Sequence, residues 1–293
     1  MTYSILGRDP FTGEVGGAVQ SAWFSSGAVL WVEAGVGAVA SQAIGERAFG
    51  HLGLEMMAAG TPPVRVLAAL VAGDDSPTVR QIGALDLASP PSAFTGSDCV
   101  PEADHLVGLD CVAQANMMAN PGVPQAMVAT FETARGDLQS RLLAALDAAQ
   151  AMGGDFRGMQ SAGLVVRTGS RGTPPWASAV VNLRVEDHAE PLAELRRLSD
   201  LTRGYRQANV SLERLAAGDT AGAIEAARAL GSAVTNDSNV SMRLGLALAA
   251  AGEDEGIAIL TGLVSQSPKW LSYVKAVCLR YAIDTEPILK RLA

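Results

Sequence analysis

Lysine is nearly absent from this chain. Only Lys269, Lys275 and Lys290 occur among its 293 residues, and all three lie near the carboxyl end. Residues 1–268 therefore offer no ε-amine for a Schiff base, a phosphate clamp or a proton shuttle. Any cation that takes part in chemistry in this long segment must be an arginine or a terminal amine.

Metal-binding residue types are also scarce. The three histidines, His51, His105 and His188, are far apart in sequence. Glu55 follows His51 by four residues on a predicted helix, but without a second histidine a surface pair is the favoured interpretation. The three cysteines have no ligand spacing and are odd in number, which indicates reduced thiols. We predict no metal and no cofactor.

Sequence signals for several other functions are missing. The net charge of -8 comes without a basic cluster, which argues against nucleic acid and membranes as partners. The sequence contains no run of about 18 apolar residues, the length that a membrane-spanning helix requires, and we predict no export signal. The glycine motifs of phosphate and dinucleotide sites and the G-x-S-x-G elbow are absent too. We expect a cytoplasmic protein.

The residue pattern itself predicts a packed α+β domain. Hydrophobic residues make up 48% of the chain, and 31 residues are glycine. Alternating stretches predict strands, and apolar residues at helical spacing predict helices between them. Two antiparallel sheets packed face to face with helices outside fit this order best. The predicted strands are 2–9, 15–22, two in 28–42, 78–87, 92–96, 106–117, 161–168 and 177–188; the predicted helices are 47–60, 62–73, 123–134, 137–154 and 191–208.

From about residue 209 the pattern becomes purely helical. The turns AAGD and AAGE lie about thirty residues apart, a spacing similar to tetratricopeptide repeats. We therefore predict two domains, 1–207 and a small all-α domain at 208–293. Such a short helical array favours docking of a protein partner or self-association into a homo-oligomer.

Thr2 stands directly behind the initiator methionine. Methionine is efficiently removed before a small residue, and removal would leave a hydroxyl and a free amine on one residue. The hydroxyl is a nucleophile, and an α-amine with a pKa near about 8 is a suitable base near neutral pH. The alternative is that Thr2 is only the first residue of a strand, and the Met-Thr dipeptide alone favours this alternative.

Longer stretches of the sequence resemble the DUF1028 family. The resemblance covers about residues 1–205 and is strongest in MTYSILGRDPFTGEVGGAVQSAWF, GLDCVAQANMMANPGV, GGDFRGMQSAGLVV and VNLRVEDHAEPLAELRRL. The family is regarded as a branch of the N-terminal nucleophile (Ntn) hydrolases, so the resemblance implies a four-layer α/β/β/α sandwich with the nucleophile opening the first strand. Thr2 matches that position. The tail resembles a short C-terminal domain, labelled peptidoglycan-binding, that accompanies some members.

The missing lysine is a departure from the better-known Ntn sites. Proteasome-type sites place a lysine beside the threonine, whereas positive charge in this chain would have to come from Arg8, Arg47 or Arg157. Arginine stays protonated, so its contribution would be electrostatic. The proton would then be handled by the α-amine of Thr2.

Polar residues at strand ends are candidates to surround Thr2. Gln20 and Ser21 end the second predicted strand, and Ser41 and Gln42 end the next strand pair. Hairpin pairing could bring Gln20 and Ser21 beside Thr2, and Ser41 and Gln42 are further candidates to contact a substrate or an oxyanion.

Two further pairs come later in the chain. Gln114 and Asn116 are two residues apart on a strand, so both amides face one side and could donate hydrogen bonds to an oxyanion. Asp155 and Arg157 could form an ion pair or orient a substrate, and turn chemistry after Gly154 is the alternative for Asp155.

Two functions remain open from the sequence. In the first, Thr2 attacks the carbonyl of a small amide or peptide-like substrate, its amine carries the proton, and water releases the ester. In the second, the sandwich is a non-catalytic ligand-binding scaffold with a helical tail that docks a partner.

Overall fold

The computed structural model describes residues 2–172, 174–229 and 237–292. Contacts divide the chain into two compact units, residues 1–197 and 198–293. The first unit holds every described strand together with helices, whereas the described residues of the second are helical. Helix α6 (Pro191–Ala216) runs without a break through residue 208, and the domain boundary at 207/208 stays a prediction.

Two antiparallel sheets form the first unit. The strands of the larger, six-stranded sheet are β1 (Thr2–Arg8), β2 (Val15–Ser21), β7 (Asp104–Val107), β8 (Cys111–Asn116), β9 (Ser161–Arg167) and β10 (Ala179–Val185). Those of the smaller, four-stranded sheet are β3 (Leu30–Glu33), β4 (Gly37–Ala43), β5 (Arg80–Asp86) and β6 (Ser92–Thr95). The strand order is β10-β9-β2-β1-β8-β7 in the larger sheet and β3-β4-β5-β6 in the smaller one.

The sheets pack against one another through small and branched side chains. Leu6, Val19, Ala40, Leu85 and Val112 are buried in this shared layer. Small residues on β4 let the sheets approach closely, as their frequency in the sequence predicted.

Helices cover the outer face of each sheet. On the smaller sheet, α1 (Ala48–Ala58) and α2 (Pro63–Ala72) pack against β4 and β5. On the larger sheet, α3 (Val123–Thr133) and α4 (Leu138–Ala151) pack against β8 and β1. Two local signals fix helix starts: Pro63 occupies the first turn of α2, and the side chain of Asp137 caps α4 by accepting from the N–H of Ser140.

Most predicted elements are present, and the exceptions have local causes. The break at Gly35 is confirmed, because this residue has a φ of 69° in the turn between β3 and β4. The single strand predicted at 106–117 is wrong: Gly108 and Asp110 lie in a turn that separates β7 from β8. A short helix, α5 (Pro175–Ser178), precedes β10 where a strand start was predicted.

The second unit is a set of short helices with their own core. Besides the later part of α6 it contains α7 (Thr220–Arg228), α8 (Ser238–Ala250), α9 (Asp254–Gln266), α10 (Trp270–Tyr281) and α11 (Glu286–Leu292). Leu246, Leu260 and Cys278 are buried at its centre. Asp219 and Asp237 cap α7 and α8 through their side chains. Among the described residues, no helix is both long enough and apolar enough to cross a membrane.

Candidate functional site

A cavity of about 670 Å³ opens at one end of the two sheets. The cavity is lined by the first residue of β1, by the last residues of β2 and β4, and by residues of the loops that follow β2 and β4. The polar side chains that line it are those of Thr2, Ser21, Ser25, Ser26, Ser41, Gln42, Arg47 and Arg157. The strand-end positions of Thr2, Ser21, Ser41 and Gln42 therefore meet in one place.

Thr2 is held rigidly at the inner end of this cavity. Only 5% of the residue is exposed, and its Oγ1 donates a hydrogen bond to Oγ of Ser21 at 3.2 Å. β1 is a central strand, paired with β2 on one side and with β8 on the other. A hydroxyl at the start of a strand fixed on both sides is oriented before any ligand arrives.

Hydroxyl and amide side chains continue on both sides of Thr2 across the sheet. Asn116 pairs with Thr2 in the β1–β8 register, and Ser161 pairs with Ser21 in the β2–β9 register. We call Asn116, Thr2, Ser21 and Ser161 the polar row. It lies at the end of the inner face of the large sheet, beyond the apolar residues Leu6, Val19 and Val112.

The backbone of Thr2 is fixed from two directions. Nε2 of Gln42, on the opposite sheet, donates to the carbonyl oxygen of Thr2 at 3.1 Å. Nδ2 of Asn116 reaches the same oxygen at 3.5 Å. Gln42 in turn accepts a hydrogen bond from Oγ of Ser4 at 2.7 Å. These amides therefore hold Thr2 in place.

Gln81, which sequence reasoning missed, joins these amides. Its Oε1 accepts from Nε2 of Gln42 at 2.8 Å and from Nδ2 of Asn116 at 2.9 Å. Its own Nε2 donates to Oγ1 of Thr95 at 2.9 Å and to the carbonyl of Ala115 at 2.9 Å. The available signal was a glutamine on the core-facing side of an otherwise apolar strand.

The structure places Gln114 away from the cavity. Gln114 and Asn116 leave β8 on the same face, as their spacing predicted. Nε2 of Gln114 lies 3.4 Å from both Oγ of Ser4 and the carbonyl of Ala40. Neither amide belongs to the cavity lining. Both therefore bridge the sheets instead of facing a bound carbonyl.

Asp155 and Arg157 form the ion pair that the sequence raised. Oδ2 of Asp155 lies 2.9 Å from Nη2 of Arg157, and Oδ1 accepts from Nε at 3.1 Å. The turn interpretation holds as well, because Oδ1 also accepts from the backbone N–H of Arg157 at 2.9 Å. Asp155 is buried, whereas the guanidinium of Arg157 lines the cavity.

Of the other two arginines, Arg47 lines the cavity and Arg8 does not. Arg8 lies at the far end of β1, about 20 Å from Thr2 at roughly 3.3 Å per residue. There its Nε pairs with Oδ1 of Asp110 at 2.9 Å, and its Nη1 lies 3.7 Å from Oδ1 of Asp86. The expectation that Arg8 supplies charge beside Thr2 is wrong, because Arg8 and Thr2 lie at opposite ends of strand β1.

Gln20 is likewise placed outside the cavity. It pairs with Tyr3 in the β1–β2 register, so its side chain points to the helix-covered face, opposite to Ser21. On that face the hydroxyl of Tyr3 donates to Oε1 of Gln150 on α4 at 3.0 Å. Gln20 is fully buried, and neither its Nε2 nor its Oε1 has a hydrogen-bond partner among the described residues.

Strained backbone conformations concentrate at the cavity. Four non-glycine residues in the described part of the chain have a positive φ: Ser25, Ala43, Met117 and Ala282. The first three line the cavity. Each left-handed residue costs about 1–2 kcal/mol. Such strain persists where the surrounding structure holds it, typically at functional sites.

Aromatic side chains form the apolar wall, which the sequence did not reveal. Trp23 and Phe24 lie in the loop after β2 and are 67% and 60% exposed. The third, Trp31 on β3, packs so closely on α1 that a Cβ at Gly50 would lie 1.9 Å from its indole. An exposed Trp-Phe pair at a cavity mouth offers contact area for an apolar ligand.

Among the described residues, no group of three His, Cys, Asp or Glu side chains comes together. Burial raises the pKa of the Cys111 thiol to about 12 and also raises the pKa of Cys99. Both thiols stay protonated near neutral pH and are poor nucleophiles.

Comparisons with other proteins agree on one family. Residues 2–195 match DUF1028, a family of unknown function. The crystal structure of protein SPO2555 from Silicibacter pomeroyi, also a DUF1028 protein, is 31% identical with a TM-score of 0.61. The match covers 68% of this chain and 87% of that one. No curated protein matches the chain. The family match spans more than half of the sequence, and the chain therefore belongs to the DUF1028 family.

Proposed function

We propose that this protein is an N-terminal nucleophile hydrolase of small amides, with Thr2 as the nucleophile after removal of Met1. The observation that carries the proposal is the position of Thr2. Its hydroxyl lies against a cavity at the start of a central strand, and its backbone carbonyl is held by Gln42 and Asn116.

The arrangement of layers supports this function. Two antiparallel sheets pack together, and each has helices on its outer face. We propose that this is the four-layer sandwich of the Ntn hydrolases, in which the nucleophile opens the first strand. Three strained residues at the same cavity add to the support, since strain of this kind concentrates at working sites.

The proposed reaction has two steps. Oγ1 of Thr2 attacks the amide carbonyl while the α-amine takes the hydroxyl proton, and the amine then returns that proton to the departing nitrogen. The C–N bond breaks and a threonine ester forms. Water then attacks the ester carbonyl while the same amine takes one of its protons. The bond between the acyl carbon and Oγ1 breaks, the amine returns the proton to Oγ1 of Thr2, and the acid is released.

Charge in the cavity suits the intermediates of this reaction. Arg47 and Arg157 line it, and no Asp or Glu does so among the described residues. Positive groups near a developing oxyanion lower its energy. Arginine cannot serve as the base, so proton transfer falls to the α-amine, whose ordinary pKa is near about 8.

Intact mass and covalent labelling test the function. Met1 lies outside the described residues, so the state of the amino terminus must be measured. We expect a mass without Met1, and acylation of Thr2 by a small β-lactone that is lost in Thr2→Ala. Peptide mapping separates Thr2 from the neighbouring Ser21. Quantitative retention of Met1, or unchanged labelling in Thr2→Ala, would contradict the proposal.

A non-catalytic ligand-binding protein is the second candidate. It is favoured by the positions of Gln114 and Asn116. Both amides hydrogen-bond to the opposite sheet, so fewer hydrogen-bond donors remain at the cavity for an oxyanion. This candidate predicts ligand binding that is equal in wild type and Thr2→Ala, with no labelling of either. The cytoplasmic location and partner docking through the helical tail stay predictions.

A further inference from the structure

We propose that the cavity binds an amide that carries a free carboxylate and an apolar side group, such as an N-acyl amino acid with an aromatic side chain. Arg47, supported by Arg157, binds the carboxylate, and the aromatic wall of Trp23, Phe24 and Trp31 covers the side group. That this ligand is a substrate rests on the proposed function. That the cavity binds it does not.

The sign of charge in the cavity differs from that of the whole protein. The chain has 30 acidic and 22 basic residues other than histidine. Yet the charged side chains that line this cavity are both arginines, among the described residues. In an acidic protein, a concave site of positive charge favours an anionic ligand group. Planar guanidinium groups bind carboxylates with two parallel hydrogen bonds.

The two arginines have different parts in this binding. Arg157 is held in place by Asp155 through Nε and Nη2, which offsets part of its charge. Arg47 is exposed, and no hydrogen bond or ion pair joins its side chain to the described residues. Arg47 is therefore the main carboxylate ligand, and Arg157 adds positive charge at a fixed position.

The apolar wall sets the other half of the ligand. Trp23 and Phe24 are more than half exposed on the loop after β2. That loop is anchored by Ser161, whose Oγ donates to the carbonyl of Trp23 at 2.5 Å and accepts from the N–H of Ser26 at 2.9 Å. A volume of about 670 Å³ is within the range of small-molecule sites, roughly 300–1,000 Å³.

Binding to the full-length Thr2→Ala variant isolates recognition from chemistry. The probes are N-acetyl-phenylalanine and its neutral counterpart, N-acetyl-phenylalanine amide, titrated by calorimetry and by tryptophan fluorescence. We expect the carboxylate to bind about tenfold more tightly than the amide, which corresponds to one good charge-assisted contact. Equal affinities, or no binding of either probe at millimolar concentration, would overturn the proposal.

Arginine variants assign the contact. Arg47→Gln is expected to weaken the carboxylate about tenfold and to leave the neutral amide unchanged. Arg65→Gln is the matched control, because Arg65 is exposed on α2 and outside the cavity, and it should change neither affinity. Arg157→Lys keeps a cation beside buried Asp155 and is expected to weaken the carboxylate less than Arg47→Gln does. An equal loss for both probes in Arg47→Gln would overturn the assignment.

The two proposals fail in different ways. Carboxylate-selective binding without any labelling of Thr2 would leave the ligand class standing and remove the hydrolase. Labelling of Thr2 together with equal binding of both probes would leave the hydrolase standing and remove the ligand class.

Discussion

Nε2 of Gln42 donates a hydrogen bond to the carbonyl oxygen of Thr2 at 3.1 Å, across the layer between the two sheets. The same nitrogen lies 2.8 Å from Oε1 of Gln81, so one amide connects the first residue of β1 to both β4 and β5. Gln42 is 2% exposed. A buried amide with this many partners fixes position as well as adding stability.

Replacing Gln42 with leucine should therefore destabilise the first unit. Gln42→Leu removes the acceptor of the buried Ser4 hydroxyl and the nearer of the two amide donors to the Thr2 carbonyl. We expect the free energy of unfolding to fall by about 2–3 kcal/mol, measured by urea unfolding. Gln125 on α3 is exposed, and its hydrogen bond to Oδ2 of Asp104 lies at the surface, where water can replace it. Gln125→Ala is therefore the control and should stay within about 0.5 kcal/mol of wild type. If Gln42→Leu has the same free energy of unfolding as wild type, the hydrogen bonds of Gln42 do not contribute to stability.

Gln20 predicts the opposite effect for the same substitution. Its amide is fully buried, and both polar atoms lack partners in the described structure. An unsatisfied buried polar group costs about 1–3 kcal/mol, so Gln20→Leu should raise the free energy of unfolding by about 1–2 kcal/mol. Gln81→Leu, at a satisfied position, should lower it. If Gln20→Leu is as destabilising as Gln81→Leu, a bound water or other partner satisfies Gln20.

The contrast between these glutamines shows what the sequence could predict. Alternation placed Gln20 and Ser21 at the end of one strand, and hairpin pairing brings that end to Thr2. Only one of two neighbours on a strand can face the cavity, and the sequence did not say which face is inner. Gln81 escaped notice because a single glutamine in an apolar strand looks like ordinary strand composition.

Two other differences have the same kind of cause. From the sequence, Arg8 is one of three arginines that could supply charge to the site, but the extended strand β1 places it about 20 Å from Thr2. Trp23 and Phe24 lie in a loop, where no periodicity marks a residue as part of a wall. The positions of strands and helices along the chain could be predicted from local patterns, whereas the strand order within each sheet and the contents of the cavity depend on long-range pairing.

Backbone strain at Ala43 gives a test of the site independent of any ligand. Ala43 has a φ of 65°, where glycine has no steric penalty. Ala43→Gly should therefore raise the free energy of unfolding by about 1 kcal/mol. Ala40→Gly, in the buried part of the same strand and outside the left-handed region, should lower it by about 0.5–1 kcal/mol. A loss of stability in Ala43→Gly would mean that the observed conformation is not strained.

Ser21 and Ser161 are neighbours in the polar row, and we expect their removal to affect different steps. The Ser21 hydroxyl lies 3.2 Å from Oγ1 of Thr2, so Ser21→Ala should slow β-lactone acylation of Thr2 about tenfold, or ~1.4 kcal/mol in the barrier, with little change in the apparent affinity for the lactone. Ser161 touches the loop that carries the aromatic wall. Ser161→Ala should therefore weaken the affinity about tenfold, or ~1.4 kcal/mol, with an unchanged maximal rate.

Labelling rates at increasing lactone concentration separate these two effects. The maximal rate reports the chemical step at Thr2, and the half-saturating concentration reports binding against the wall. Both variants remove one buried hydroxyl, so any general loss of packing is common to them and cancels in the comparison. If Ser21→Ala, like Ser161→Ala, changes the half-saturating concentration and leaves the maximal rate unchanged, then Ser21 supports the structure of the polar row and does not affect the reactivity of Thr2.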